Sequence, residues 1–409
     1  MSSFGNLRVQ INSVRNGRPI EGAKIRIYET GNPDRIVEEA VTNAQGQIET
    51  LELEAPPLEY SMEPSVNQPY SEYNILIEAE GFEGLEVNSA EILPGETAIQ
   101  NAELLPVSEP ETAELYVVSP HTLFAEYPPK IAESEVKDVS EGGEVVLSRV
   151  VIPEIVVVHD GPPADSSATD YYVRYRDYIK NVASSEIYAT WPESTIQANV
   201  LAIMSFTLNR VYTEWYRNQG YDFTITSSTA YDHKWIPNRN VFASISNVVD
   251  TIFNNFLSRP NIRQPILTQY CDGRRVSCPN WLSQWGSKYL GDQGYSAIDI
   301  IRNYYGDNMF INTANEISGI PISWPGTNLQ EGSTGEKVRQ MQNQLNVIAD
   351  AYPLIPKIAE DGVFGPRTAE SVRVFQGVFG LPETGIVDFR TWFRISEIYV
   401  AVSRIAELV

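Results

Sequence analysis

Apolar and polar positions alternate through the first hundred or so residues. Leu7, Val9 and Ile11 recur at every second position, as do Ile25 and Ile27, then Tyr73, Ile75, Ile77 and Ala79. A period of two turns one face of each segment to a core and the other to water, which predicts β-strands. Asn16-Gly17-Arg18-Pro19 and Asn43-Ala44-Gln45-Gly46 supply the turns. The alternation stops near residue 107. Prolines and acidic residues follow, punctuated by Pro128-Pro129 and Glu141-Gly142-Gly143-Glu144, and the stretch reads as a linker ending in an apolar run over residues 145–151. Beyond it the period lengthens. Asp165-Ser166-Ser167 predicts the opening of a helix running toward Lys180. Pro192 and Glu193 open another, in which Ile196, Val200, Ile203, Thr207 and Val211 recur at helical spacing. Residues 221–232 read as strand then loop. Toward the C-terminus, Val338, Met341, Leu345 and Ile348 share one helical face, and Ala369, Val372 and Phe375 another. The expected fold class is multidomain α+β: an all-β region over residues 1–106, an acidic linker over 107–150, a mixed α/β domain over 151–321 and a helical domain over 322–409.

Charge sharpens that division. The net charge is −23, and residues 1–150 hold 27 acidic against 9 basic side chains. The negative field therefore belongs to the first third of the chain. It argues against nucleic acid as a partner, and it fits either a functionally separate N-terminal module or an acidic domain whose charge serves solubility alone. No run approaches the ~18 apolar residues of a membrane span, and the start MSSFGNLRVQINS shows neither a basic region nor an apolar core of a secretory signal.

One carboxylate stands apart from the surface charges. Glu186 lies between two helix-like runs among Ile187, Tyr188 and Trp191. An acid shielded from water on a rigid helix shoulder has a raised pKa and can serve as a general acid near neutrality. The alternative is a carboxylate that only caps the following helix or faces solvent. Cys271 and Cys278 lie in YCDGRRVSC; a local disulfide, reduced thiols and a zinc site are all open for them, and His121, His159 and His233 all lie away from both cysteines.

Motifs order these observations. The run E-I-Y-A-T-W-P-E-S-T-I-Q-A from Glu186, the L-S-Q-W-G-S run from Leu282 and the I-I-R-N-Y-Y-G-D run from Ile300 resemble, in the same order, three motifs of SpoIID/LytB-type domains. The resemblance implies that Glu186 is the catalytic acid/base and that Ser283 and Gln284 lie at a glycan cleft. It also makes Tyr231 and Asp232, with Ser228, Thr229 and His233, candidate substrate contacts. Met204 departs from the pattern, which usually has Arg there. The frame G-R-P-I-E-G-A-K-I-R-I-Y with T-N-A-Q-G-Q-I resembles small β-sandwiches of the CnaB or carboxypeptidase-regulatory kind. D-G-V-F-G-P-R-T from Asp361 and G-L-P-E-T-G-I-V-D from Gly380 are similar to the signatures of a three-helix peptidoglycan-binding domain, with Asp388 placed as a helix N-cap.

Together these parts resemble the spore cortex-lytic enzymes. That resemblance implies a zymogen made in the mother cell, deposited at the spore cortex or coat, and activated when a subtilisin-like germination protease cuts near Arg149, Val150 and Val151. An ordinary strand opening the next domain is the competing reading of those residues. The implied chemistry is lytic transglycosylation of cortex peptidoglycan without a cofactor or metal. The alternative is a protein that binds the wall and enhances a separate amidase.

Overall fold

The computed structural model describes residues 3–107, 113–131, 149–262, 264–319 and 324–403. The N-terminal region forms β1 (Ser3–Ser13), β2 (Lys24–Glu29), β3 (Asn32–Val41), β4 (Leu51–Ala55), the short helix α1 (Glu59–Met62), β5 (Ser71–Glu78), β6 (Leu85–Ile92) and β7 (Thr97–Leu104). In β1 the alternation predicted from Leu7, Val9 and Ile11 is a row of buried side chains. One sheet contains β7-β1-β4, with β1 parallel to β7 and antiparallel to β4. The other runs β3-β2-β5-β6 and turns Ile25, Ile27, Ile75 and Ile77 into the same core.

The linker expected over 107–150 is partly structured. Residues Glu114–Val117 form β8, which pairs in parallel with β6 and closes the edge of the second sheet. Residues 118–131 then run across the central domain. Residues 141–148, including most of the apolar run before Val151, lie outside the described residues. Val151 and Ile152 form β9, paired in parallel with Glu316–Ile317. Arg149 is exposed and ion-pairs with Glu316 at 2.5 Å.

The central domain begins with β10 (Ile155–His159) and β11 (Asp170–Arg174), an antiparallel pair. The helix expected from Asp165 starts instead at Tyr175. Asp165 accepts the Ser167 N–H in a tight turn, and the Tyr171-Tyr172-Val173 run pairs with β10, which suits aromatic and β-branched residues better than a helix does. Helices α2 (Tyr175–Glu186) and α3 (Glu193–Tyr212) follow, then the two-residue strands β12 (Ile225–Thr226) and β13 (Val241–Phe242), α4 (Ala243–Ile252), α5 (Gln284–Asp292) and α6 (Ala297–Tyr305). Helix α3 is buried almost all round, at the centre of the domain. Strand β13 hydrogen-bonds antiparallel to β7, so the central domain contributes an edge strand to the N-terminal sheet.

Helices α7 (Glu336–Ala349), α8 (Pro366–Val378) and α9 (Phe389–Ser403) build the C-terminal domain. Its two glycine turns are locked in the same way. The Gln342 amide accepts the Gly362 N–H at 2.9 Å and donates to Val363 O, while Gln376 accepts the Gly385 N–H at 2.8 Å and donates to Ile386 O. Both glycines have φ near +70°, so only glycine fits without strain. Asp388 caps α9 through the Thr391 N–H, as its position predicts. The domain docks on the other two: Glu397 pairs with Arg174 and Arg176 of the central domain, and Gln47 donates to Val378 O. Among the described residues no helix is long and apolar enough to cross a membrane.

Candidate active site

Glu186 is the last residue of α2 rather than part of the segment after it. An aromatic corner between α2 and α3 fixes its position. Tyr188 stacks on His121, and Tyr188, Trp191 and Trp285 form an aromatic cluster with centroids 5.0–6.1 Å apart. The Trp191 indole donates to Ser61 O of α1 at 2.9 Å. This anchored corner leaves Glu186 3% exposed in the lining of a cleft that it shares with Tyr270, Gln284 and Lys130.

Two donors hold the carboxylate. The Lys234 backbone N–H reaches Oε1 at 2.6 Å, and the Tyr270 hydroxyl donates to Oε2. Tyr270 is aligned by His233, whose ring stacks parallel to it and whose Nδ1 meets the Tyr178 hydroxyl at 2.9 Å. Burial raises the Glu186 pKa above that of an ordinary carboxylate; Lys130, the Lys234 N–H and Tyr270 pull against that rise without reversing it. A carboxyl in this state can give a proton at a pH where a surface glutamate has already lost its own.

The sequence-predicted residues fall into two groups. Gln284 belongs to the site: it lines the cleft, and its amide donates to Glu186 O at 3.0 Å. Thr229 also lines the cleft. Ser283 is the N-cap of α5, its hydroxyl accepting the Gly286 N–H at 3.0 Å. Gly286 is required there because a Cβ would fall 2.1 Å from the Tyr304 hydroxyl. Asp232 does not reach the cleft. It is fully buried, paired with Arg210 at 2.9 Å and accepting from Tyr216 and from both the N–H and hydroxyl of Thr226. With four hydrogen bonds from three residues in the core it is a structural anchor for the loop after β12. Tyr231 sits in that turn and is not part of the cleft lining. Glu193, at the start of α3, is exposed and accepts from Gln197.

Cys271 and Cys278 are joined in a disulfide with Cα atoms 5.7 Å apart, which leaves neither as a zinc ligand. Asp272 inside that loop accepts the backbone N–H groups of Arg274, Arg275 and Val276. Among the described cleft residues it is the one other carboxylate, and the loop turn occupies it. Opening the bridge in a Cys271→Ser, Cys278→Ser double variant should cost ~2.5 kcal/mol by loop entropy. Urea denaturation with and without reductant measures it: the double variant should match the reduced wild type.

Sequence reasoning missed Tyr270, the Lys234 N–H, Lys130 and Arg275. A backbone N–H leaves no trace in a sequence. Lys130 did leave one: no Lys or Arg stands between Arg35 and Lys130, an interval with 19 acidic residues.

Comparison with known proteins speaks to the C-terminal part. Residues 334–395 match the peptidoglycan binding domain family. The chain therefore carries a peptidoglycan-binding domain. A zinc D-Ala-D-Ala carboxypeptidase of Streptomyces albus G is 40% identical over 77 residues, 19% of this chain. The chain spans 28% of the length of that relative. The crystal structure of a SleB N-terminal domain is 30% identical and is 99% covered by 19% of this chain, with a TM-score of 0.17.

Proposed function

We propose that the protein is a zymogen of the spore cortex-lytic kind, resembling SleC, in which a SpoIID-like central domain cleaves the peptidoglycan held by the C-terminal domain. The reaction is lytic transglycosylation. Glu186 protonates the oxygen linking N-acetylmuramic acid to N-acetylglucosamine, and the leaving sugar departs with that proton. The carboxylate then accepts the proton of the C6 hydroxyl as that oxygen attacks C1, which gives a 1,6-anhydro end. No water is consumed. One carboxyl serves both steps, whereas ordinary glycoside hydrolysis uses two.

The observation that carries this reading is the isolation of Glu186. It is a buried acid with a raised pKa in the lining of a cleft, and the two carboxylates that hydrolysis would call on are engaged elsewhere, Asp232 in the core and Glu193 at the exposed start of α3, while Asp272 in the cleft is taken up by its own loop turn. The peptidoglycan-binding domain supplies the substrate class. Gln284 and Thr229 line the proposed glycan cleft, and Arg149, beside the proposed cut, is exposed just before β9.

The test is mass spectrometry of the glycan ends released from purified cortex peptidoglycan by the full chain after a protease cut near Arg149. Anhydromuramic ends are expected. Reducing ends would replace transglycosylation by hydrolysis. Binding without new ends would make the protein a non-catalytic enhancer of a separate amidase.

A further inference from the structure

The cleft in front of Glu186 is not empty of protein. Residues 120–131 cross it as a strap belonging to the region N-terminal to the proposed cut. Thr122, Tyr127, Pro128, Pro129 and Lys130 line the cleft together with Glu186, Tyr270 and Gln284.

Both ends of the strap are tied down. At the start, the His121 N–H donates to the Tyr70 hydroxyl at 3.1 Å, and the Thr122 N–H donates to Ser185 O, next to Glu186. At the end, the Ile131 N–H donates to Ala230 O at 2.6 Å, and Gln269 donates to Ile131 O. Between them, Pro128-Pro129 hold the chain extended without a backbone donor. The next residue, Lys130, turns its ammonium inward. It donates to Asp232 O and lies 4.7 Å from the Tyr270 ring centroid and 4.8 Å from that of Phe206. Tyr270 is the residue whose hydroxyl holds Glu186.

A second cation clamps the strap near its start. Arg275, on the disulfide-closed loop, donates to the carbonyls of Thr122, Leu123, Phe124 and Ala125. One guanidinium serving successive carbonyls is a backbone clamp that needs no particular side chain on the strap. Lys130 also acts through its charge. Its proximity favours the ionised form of Glu186, the form that cannot donate a proton, while burial pushes the lysine itself down to about 8.

We infer that residues 120–131 are an autoinhibitory strap that closes the Glu186 cleft in the uncut chain, with Lys130 as its plug and Arg275 as its latch. The inference rests on the proposed role of Glu186 and names how that site is regulated. The sterics and the electrostatics act in the same direction: the strap walls the groove in front of Glu186, and the Lys130 charge offsets part of the rise that burial gives the acid. It also gives a role to Lys130, the one Lys or Arg between Arg35 and Lys137. A cut near Arg149 leaves the strap on the N-terminal fragment, so opening follows when that fragment leaves.

The experiment uses the uncut full chain, as wild type and as Lys130→Ala, Arg275→Gln and the double variant. Two readouts are taken: release of glycan ends from cortex peptidoglycan, and labelling of Glu186 by a water-soluble carbodiimide with a small amine, located by peptide mass mapping. Arg275 is exposed, so its replacement leaves the core intact; thermal melting checks this for each variant. The double variant is expected to label at Glu186 at least about tenfold faster than wild type and to cleave glycan without a protease cut. Unchanged labelling in all three variants overturns the strap, even if the cut wild type cleaves glycan normally. Faster labelling with no new glycan ends upholds the strap and overturns the reading of Glu186 as the glycan-cleaving acid.

Discussion

Glu186→Gln should abolish glycan cleavage by the activated chain, a loss of at least about 10²–10⁴-fold, while binding to insoluble peptidoglycan stays at the wild-type level. The substitution keeps the size and shape of the side chain. The amide oxygen can still accept the Lys234 N–H, and the amide NH₂ can donate to the Tyr270 hydroxyl, which then acts as acceptor. The one group that loses its partner is the Tyr270 hydroxyl proton, so the cleft should survive with a modest loss of stability. What disappears is the transferable proton, and the C-terminal domain that binds the wall is elsewhere in the chain. The pH dependence follows from the same carboxyl. Its pKa is raised by burial, so the proton-donating form persists above the usual carboxylate range and cleavage falls as pH rises through the shifted value. Tyr270→Phe should move that fall to higher pH, because the hydroxyl stabilises the ionised form. Cleavage rates measured from pH 4 to 9 check both points. Full activity of Glu186→Gln would remove Glu186 from the mechanism.

How much of this could be read from the chain depended on how local each feature is. The alternation of Leu7, Val9 and Ile11 is complete within one strand, and the structure buries those residues as the period requires. The C-terminal helices and glycine turns were equally legible, because caps and left-handed glycines act within a few residues. Strand β13 was not. Two residues, Val241 and Phe242, have no period to read, and only their pairing with Ile99 and Ala98 makes them a strand. The strap failed for a related reason: its prolines and acidic neighbours have the composition of a linker, and its order comes from Arg275 and Ser185, far away in sequence. Asp232 shows the opposite error. A polar loop suggests substrate contact, but nothing in the sequence shows Arg210, Tyr216 and Thr226 converging on that carboxylate. For Glu186 the aromatic surroundings were visible; its electrostatic partners, gathered from residues 130, 234 and 270, were not.

Arg239→Ala should loosen the N-terminal region from the central domain by about 1–3 kcal/mol, the usual cost of leaving buried acceptors without their donor. Arg239 comes from the segment before β13, and Glu91 from the end of β6; both are almost wholly inaccessible, and Arg239 Nη2 meets Glu91 Oε2 at 2.8 Å. The same arginine donates to the Ser185 hydroxyl, one residue from Glu186, and Asn240 bonds the Glu91 backbone in both directions. This is the polar joint that ties the β-domain, and the strap it carries, to the domain that holds the Glu186 cleft. Burial outweighs the attraction of Arg239 and raises Glu91 to about 7, from an ordinary value of 4.5. A carboxyl raised in this way binds more protons when folded than when unfolded. Its contribution to the joint is therefore fully present below about pH 4.5 and lost as pH rises through about 7. Once the chain is cut near Arg149, the N-terminal fragment should leave faster at pH 8 than at pH 6, and faster still in Arg239→Ala at both. A paired Glu91→Leu, Arg239→Met variant removes both charges and should restore much of the lost stability while flattening the pH dependence, since no titrating group remains in the joint. Fragment release followed by size-exclusion chromatography after a timed cut measures all three chains. Equal release rates at pH 6 and 8 in the wild type would show that the joint does not respond to Glu91. Equal rates in wild type and Arg239→Ala would show that β13 pairing and apolar burial hold the two domains together without the ion pair.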